Sequence, residues 1–289
     1  ILLYFEDRAN RERYGMLRKG QKSGVNGFAV VGHPYNYQHL INYFKYFRKN
    51  QQLPSYEFLA KVLEMTPSYV SKYIKSFKSK TGAETRGCFV MCPIIPDMVD
   101  VDIEKVSQKV IEACKSVEKI GIGVATLGGF TSIVGEKYGK ELKEQVYVPV
   151  TTGNTYTATL TIQGIKKACE LMGVRLSESK MTILGGLGDI GSACARYFSS
   201  EVSELTLTTR FTKNGDAFKK ELSSKSTARI IVTDDNKKSI EDADVILAAA
   251  SVSESIAKSG DFKKGSIICD IGYPKNISYR DCDRKDILI

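Results

Sequence analysis

Residues 181–191 read MTILGGLGDIG, and the fold turns on them. Met181 to Leu184 form a short, mostly apolar run of the kind that makes a buried strand. Asp189 through Phe198 reads as a helix that Asp189 and Ile190 open. Between them stand Gly185, Gly186, Gly188 and Gly191, which satisfy both G-x-x-G-x-x-G and G-x-G-x-x-G. In a dinucleotide loop the first glycine allows the tight turn and the middle one lets backbone approach the pyrophosphate. The last allows close helix–strand packing, and the helix N-terminus faces the phosphates. A glycine turn with a purely structural job is the alternative, and the strand–loop–helix frame argues for the nucleotide.

Working toward the C-terminus, residues 204–209 (ELTLTT) form the second strand. An NAD site places an acid at its end to accept the ribose 2′-hydroxyl. Here the strand ends in Thr209 and Arg210, with Lys213 nearby, so the expected cofactor is NADP(H). The bland reading makes Arg210 a solvated loop charge. Further strands are expected at residues 229–233, 244–250 and 266–271. The tips Ala250-Ser251 and Gly272-Tyr273 should flank the nicotinamide. Residues 286–289 would open a sixth strand, and the chain reads as clipped inside its last domain.

Toward the N-terminus, strands are expected at residues 27–33, 87–92, 123–127 and 145–150, with helices at 103–120 and from 154 to about 173. This alternation predicts a parallel α/β arrangement. Ligands bind at the carboxyl ends of such strands, where His33, Gly128-Gly129-Phe130-Thr131 and Thr151-Thr152-Gly153-Asn154-Thr155 fall. Residues 38–80 read as helices. In residues 68–80, Tyr69, Val70, Tyr73, Ile74 and Phe77 line one helical face and lysines lie elsewhere, a basic amphipathic helix. It would face the core or dock on an acidic partner or membrane surface. Residues 1–23 read as a surface helix or arm. The expectation is a Rossmann-type, doubly wound parallel sheet at residues 177–289. An N-terminal α/β substrate domain, residues 1–176, carries a helical insertion at about 38–80.

The 289 residues carry 42 Lys and Arg against 33 Asp and Glu, a net charge of +9. Length and ordinary composition exclude a disordered chain or a small stapled scaffold. Seven cysteines, an odd number, and only two histidines give no zinc spacing and suggest a reducing, cytoplasmic setting. No metal is expected. No apolar run reaches the roughly 18 residues of a membrane span, so at most peripheral membrane contact is expected. No nucleic-acid motif is present, and charge alone is weak support for such binding. After Gly191 the only tyrosines are Tyr197, Tyr273 and Tyr279. None supplies the Tyr-x-x-x-Lys pair of short-chain dehydrogenases.

Several blocks together resemble the long-chain acyl-[acyl-carrier-protein] reductase family, which forms fatty aldehydes with NADPH. They are Gly32-His33, Thr81-Gly82, residues 87–96, LGGFTSIV at 127–134, TTGNTYTA at 151–158, residues 185–192 and GYPKN at 272–276. Residues 38–80 depart from the cyanobacterial type. The resemblance implies that a cysteine thiolate attacks an acyl thioester, carried by acyl carrier protein or coenzyme A. Hydride from NADPH then reduces the thioacyl enzyme to an aldehyde. It also implies a nucleophilic cysteine some tens of residues beyond GYPKN, past Ile289; Cys282 stands too close. Thr151, Thr152, Asn154 and Thr155 could hydrogen-bond a thioester oxygen or the nicotinamide carboxamide, or simply cap the following helix. Two alternatives remain open. One is a shikimate- or quinate-like dehydrogenase of a hydroxy acid, which needs a Lys–Asp pair that cannot be picked out. The other is a non-catalytic NADP-binding module.

Overall fold

The computed structural model describes residues 27–34, 36–47, 53–95, 102–210, 212–252, 254–272, 275–278 and 284–289. The expected arm at residues 1–23 lies outside them. Contacts divide the chain into two compact units, Ile1–Gly153 and Asn154–Ile289.

The first unit holds strands β1 (Phe28–Gly32), β2 (Tyr69–Lys78), β3 (Glu84–Met91), β4 (Val124–Leu127) and β5 (Val150–Thr152). They form one sheet in the order β2-β3-β1-β4-β5. All pairs are parallel except β2 with β3. Its helices are α1 (Tyr37–Phe47), α2 (Tyr56–Met65), α3 (Ile103–Lys119), α4 (Thr131–Lys137) and α5 (Gly139–Gln145). Helix α3 starts where Asp102 accepts the Lys105 amide at 3.0 Å, satisfying a first-turn donor. Its Val106, Val110, Cys114 and Val117 recur on one face. They bury against Ala29, Val31, Val90 and Ala125 of the sheet, each valine worth roughly 1.5–3 kcal/mol over exposure.

Two expectations fail here. Residues 68–80 are not a helix: Tyr69–Lys78 is the antiparallel edge strand β2, with Tyr73 opposite Cys88 and Ile74 opposite Gly87. Its pairing slips between Val70 and Lys72 and again between Ile74 and Phe77. These irregularities break the period-2 alternation that identifies a strand. Among the described residues, the 38–80 insertion is therefore two helices and a strand. The strand expected at 145–150 begins only at Val150. Pro149 has no N–H for a ladder, and the amides of Tyr147 and Val148 donate to the Glu118 carboxylate instead.

The second unit holds β6 (Lys180–Leu184), β7 (Glu204–Thr208), β8 (Arg229–Thr233), β9 (Val245–Ala248), β10 (Ala257–Lys258), β11 (Ile267–Asp270) and β12 (Ile277–Ser278). Helices are α6 (Asn154–Met172), α7 (Asp189–Phe198), α8 (Thr212–Ser223) and α9 (Asn236–Ile240). The main sheet is wholly parallel in the order β11-β9-β6-β7-β8. Outside β11, Leu288 makes a parallel bridge to Ile267, taking the sixth position of a doubly wound sheet. Helix α6 buries Ala158, Ile165 and Cys169 with Met181, Ile183, Cys194 and Phe198. The division consequently falls before this helix, one element earlier than the expected boundary after residue 176.

Candidate nucleotide site and substrate loops

Strand order in the second unit reverses at β6, between β7 on one side and β9 on the other. The carboxyl ends at such a switch point open a crevice for ligands. The glycine loop follows β6 there. Gly185 has φ +78°, and a Cβ on it would stand 2.7 Å from the Ala250 Cα. A Cβ on Gly186 would stand 2.8 Å from the Leu207 Cβ, and one on Gly191 2.2 Å from the Gly185 carbonyl oxygen. These three glycines are demanded by packing. Gly188 is exposed, and its Cβ would meet nothing nearer than the Gly185 oxygen at 3.5 Å. Its bare backbone keeps the mouth of the loop open. Ser192 is the first amide of α7 to bond backwards, to the Gly188 carbonyl at 2.7 Å. Among the described residues, the amides of Asp189, Ile190 and Gly191 thus have no backbone acceptor, as first-turn donors of a helix do not. Open backbone, outward amides and the positive helix end fit a dinucleotide pyrophosphate. The Asp189 carboxylate accepts from Asn154 Nδ2 at 3.2 Å, which ties it to the start of α6.

At the end of β7, the Thr209 amide donates to the Thr233 carbonyl at 2.9 Å, and Arg210 is exposed. No carboxylate among the described residues pairs with Arg210. Lys213 lies in the first turn of α8; its side chain lies outside the described residues, as does Tyr273. Ser251 is exposed, while Gly272 is buried and donates its amide to Asp270 Oδ1 at 2.9 Å. Ala250 is held on both sides of its residue by one side chain. Its N–H donates to Asn276 Oδ1 at 2.8 Å and its carbonyl accepts from Asn276 Nδ2 at 3.0 Å. Reading the sequence names the GYPKN block but gives Asn276 no role.

In the first unit the order reverses at β1, with β3 and β4 on its two sides. The crevice at those strand ends is occupied by His33. Its Nε2 accepts the Phe130 amide at 2.9 Å, and its Nδ1 lies 2.8 Å from the Pro34 carbonyl. The proton therefore sits on Nδ1, which donates to that carbonyl. Gly129 has φ +60°, and a Cβ there would stand 2.5 Å from His33 Nε2. Buried Thr131 donates its hydroxyl to the carbonyls of Val31 and Gly128. Gly128 in turn donates its amide to Val31 at 2.9 Å. Burial lowers the His33 pKa below its ordinary value, with the Pro34 carbonyl opposing. In this arrangement His33 is a neutral strut fastening the 128–131 loop to β1.

Thr151 is exposed in the middle of β5. Thr152 lines an open groove of about 390 Å³ with Gly135, Leu142, Val146, Tyr147 and Val148. Asn154 and exposed Thr155 open α6 and belong to the second unit. The described cysteines are unsuited to attack. Burial pushes the thiols of Cys88 and Cys194 up to about 11 and those of Cys92 and Cys114 up to about 12. Burial also raises Cys169 and Cys269. Only the thiolate is a competent nucleophile. Cys282 lies outside the described residues. Among the described residues, no group of three or more His, Cys, Asp or Glu side chains is placed to hold a metal. No helix there is long and apolar enough to cross a membrane.

The strand order and the glycine loop define the second unit as a Rossmann-type NAD(P)-binding fold. The family model described as shikimate / quinate 5-dehydrogenase matches residues 166–287, inside that unit. The chain is 29% identical over 209 residues to the long-chain acyl-[acyl-carrier-protein] reductase of Synechococcus elongatus, a match covering 69% of this chain and 60% of that protein. It is 27% identical over 213 residues to aminotransferase PigE of a Serratia species, covering 73% and 25%. The chain thus spans less than two thirds of the length of these curated relatives. Among solved structures, the dipicolinate synthase A chain of Bacillus subtilis is 13% identical, with a TM-score of 0.43, over 93% of this chain and 88% of that one.

Proposed function

We propose that the chain belongs to an NADPH-dependent reductase that converts an acyl thioester, on an acyl carrier protein or coenzyme A, into an aldehyde. The observation that carries this reading is the reach of the likeness to the acyl-carrier-protein reductase. Its 209 aligned residues outnumber the second unit, Asn154–Ile289, so it extends into the first.

NADPH supplies the hydride. The loop Gly185, Gly186, Gly188 and Gly191 and the first-turn amides of α7 would receive the pyrophosphate. Arg210, with Lys213 three positions on, would meet the 2′-phosphate, and the strand ends in no acid that would repel it. Ala250, Ser251 and Gly272 would border the nicotinamide, with Tyr273 next to Gly272 in sequence. In the first unit His33 holds Gly128, Gly129, Phe130 and Thr131 as a rigid wall, with Thr151 and Thr152 offering hydroxyls to the substrate. Asn154 and Thr155 suit a carboxamide. A thiolate attacks the acyl carbonyl and the carrier thiol departs. Hydride adds to the resulting thioester, and the aldehyde leaves as the thiolate is regenerated. Burial raises the thiols of the described cysteines, which disfavours them for that role. The +9 charge favours encounter with an acidic carrier.

The match to the shikimate / quinate 5-dehydrogenase model favours a second reading, an NADP-dependent dehydrogenase of a hydroxy acid. The two separate on substrate. With NADPH and acyl-coenzyme A or acyl carrier protein, the full-length protein is expected to yield aldehyde detectable by gas chromatography. No aldehyde, together with NADP⁺ reduction on shikimate or quinate, would transfer the assignment to the second reading.

A further inference from the structure

Strand β9 leaves its ladder just where the nicotinamide crevice begins. The last amide held by β6 in this stretch is Ala249, which donates to the Leu184 carbonyl at 2.9 Å. The next residue, Ala250, is held by a side chain: Asn276 accepts its N–H at 2.8 Å and donates to its carbonyl at 3.0 Å. One amide thus imitates a neighbouring strand. Asn276 is 0% exposed, and its own carbonyl accepts the Ile256 amide at 2.7 Å. Two further features serve its placement. A Cβ on Gly272 would stand 2.3 Å from Asn276 Nδ2, so only glycine leaves room for it. Asp270 accepts the amides of Gly272 and Ile277 at 2.9 and 3.1 Å, pinning the backbone before and after Asn276.

We infer that Asn276 is a positioning residue for the nicotinamide half of the nucleotide, acting through the Ala250 peptide. The inference rests on the nucleotide reading of the second unit. Ala250 also backs the first glycine of the loop, since a Cβ on Gly185 would stand 2.7 Å from its Cα. The adenosine end is elsewhere: Arg210 follows β7, across β6 from β9. Disturbing Asn276 acts on one end of the ligand and spares the other.

Asn276→Asp keeps the shape and the acceptor for the Ala250 amide. It sets an oxygen against the Ala250 carbonyl where a donor stood, and a mismatched buried polar pair is costly. The test measures NADPH and 2′-AMP affinities of the intact chain by calorimetry or competition. Hydrogen exchange across residues 248–251 and the melting temperature are recorded alongside. Ser266→Ala is the control: its buried hydroxyl donates to Ala243 at the other end of β11. We expect Asn276→Asp to weaken NADPH about tenfold or more, to leave 2′-AMP within about twofold, and to speed exchange at 248–251. Ser266→Ala should lower the melting temperature and leave both affinities in place. Parallel loss of NADPH and 2′-AMP, or an unchanged NADPH affinity, would overturn the inference alone. Failure of the unsubstituted chain to bind NADPH would overturn the nucleotide reading and the inference with it.

Discussion

At the tip of β1, the His33 imidazole takes the Phe130 amide on Nε2 and gives its Nδ1 proton to the Pro34 carbonyl. A proton added to Nε2 would set donor against donor. The lowered pKa means the unfolded chain binds that proton first as pH falls. Stability from His33 is therefore fully present above its unfolded value of about 6.5 and is lost as pH drops through the folded value. We expect the Phe130 amide to exchange faster at pH 5 than at pH 7.5, after correction for intrinsic rates. His33→Gln, which has no such titration, should flatten that dependence. An equal pH response in both proteins would contradict the strut. The glycines are legible from sequence because they stand together at fixed spacing between a strand and a helix, and one of them, Gly191, answers a local steric demand against the Gly185 carbonyl. Asn276 is not, because its partner Ala250 lies 26 positions away and no periodicity announces such a bond.

Among the elements, the parallel strands and α3, α6 and α7 follow their sequence patterns closely, since buried strands and amphipathic helices write their periods in apolar residues. Strand β2 does not. Tyr69, Val70, Tyr73, Ile74 and Phe77 recur at helical spacing because two slips in the pairing with β3 each displace the alternation. Phe77 still packs edge-on against Phe28, ring centres 6.0 Å apart. The strand assignment predicts a cross-link that a helix would not give. Tyr73 and Cys88 are directly opposed, and opposed antiparallel residues lie about 4.5–5.5 Å apart, within reach of a disulfide. Tyr73→Cys should therefore join Cys88 under mild oxidation, seen as a linked peptide by mass spectrometry. Failure to link in the folded protein would restore the helix.

Across the whole chain, each unit builds its own sheet, mixed in the first through antiparallel β2 and wholly parallel in the second, and each has its own switch point; the two crevices differ. That of the first unit is closed by His33 and the 128–131 loop. That of the second is left open by Gly188 and bordered by the first-turn amides of α7, which have no backbone acceptor among the described residues. The contact boundary at Gly153/Asn154 assigns α6 to the nucleotide unit. The helix's apolar residues report that it packs and not against what. The +9 charge likewise acquires a local component in Arg210, exposed at the end of β7 without an acidic partner among the described residues.

The central claim, that the second unit is built for NADP(H), is tested most directly by paired binding isotherms for NADPH and NADH, on the intact chain and on Arg210→Asp. A charge-assisted contact to the 2′-phosphate is worth about 1.5–3 kcal/mol, roughly 10- to 100-fold in affinity. The account predicts that the intact chain binds NADPH tighter than NADH by at least about tenfold, and that Arg210→Asp removes most of the difference. NADH bound as tightly as NADPH, or an Arg210→Asp chain with its preference intact, would contradict it.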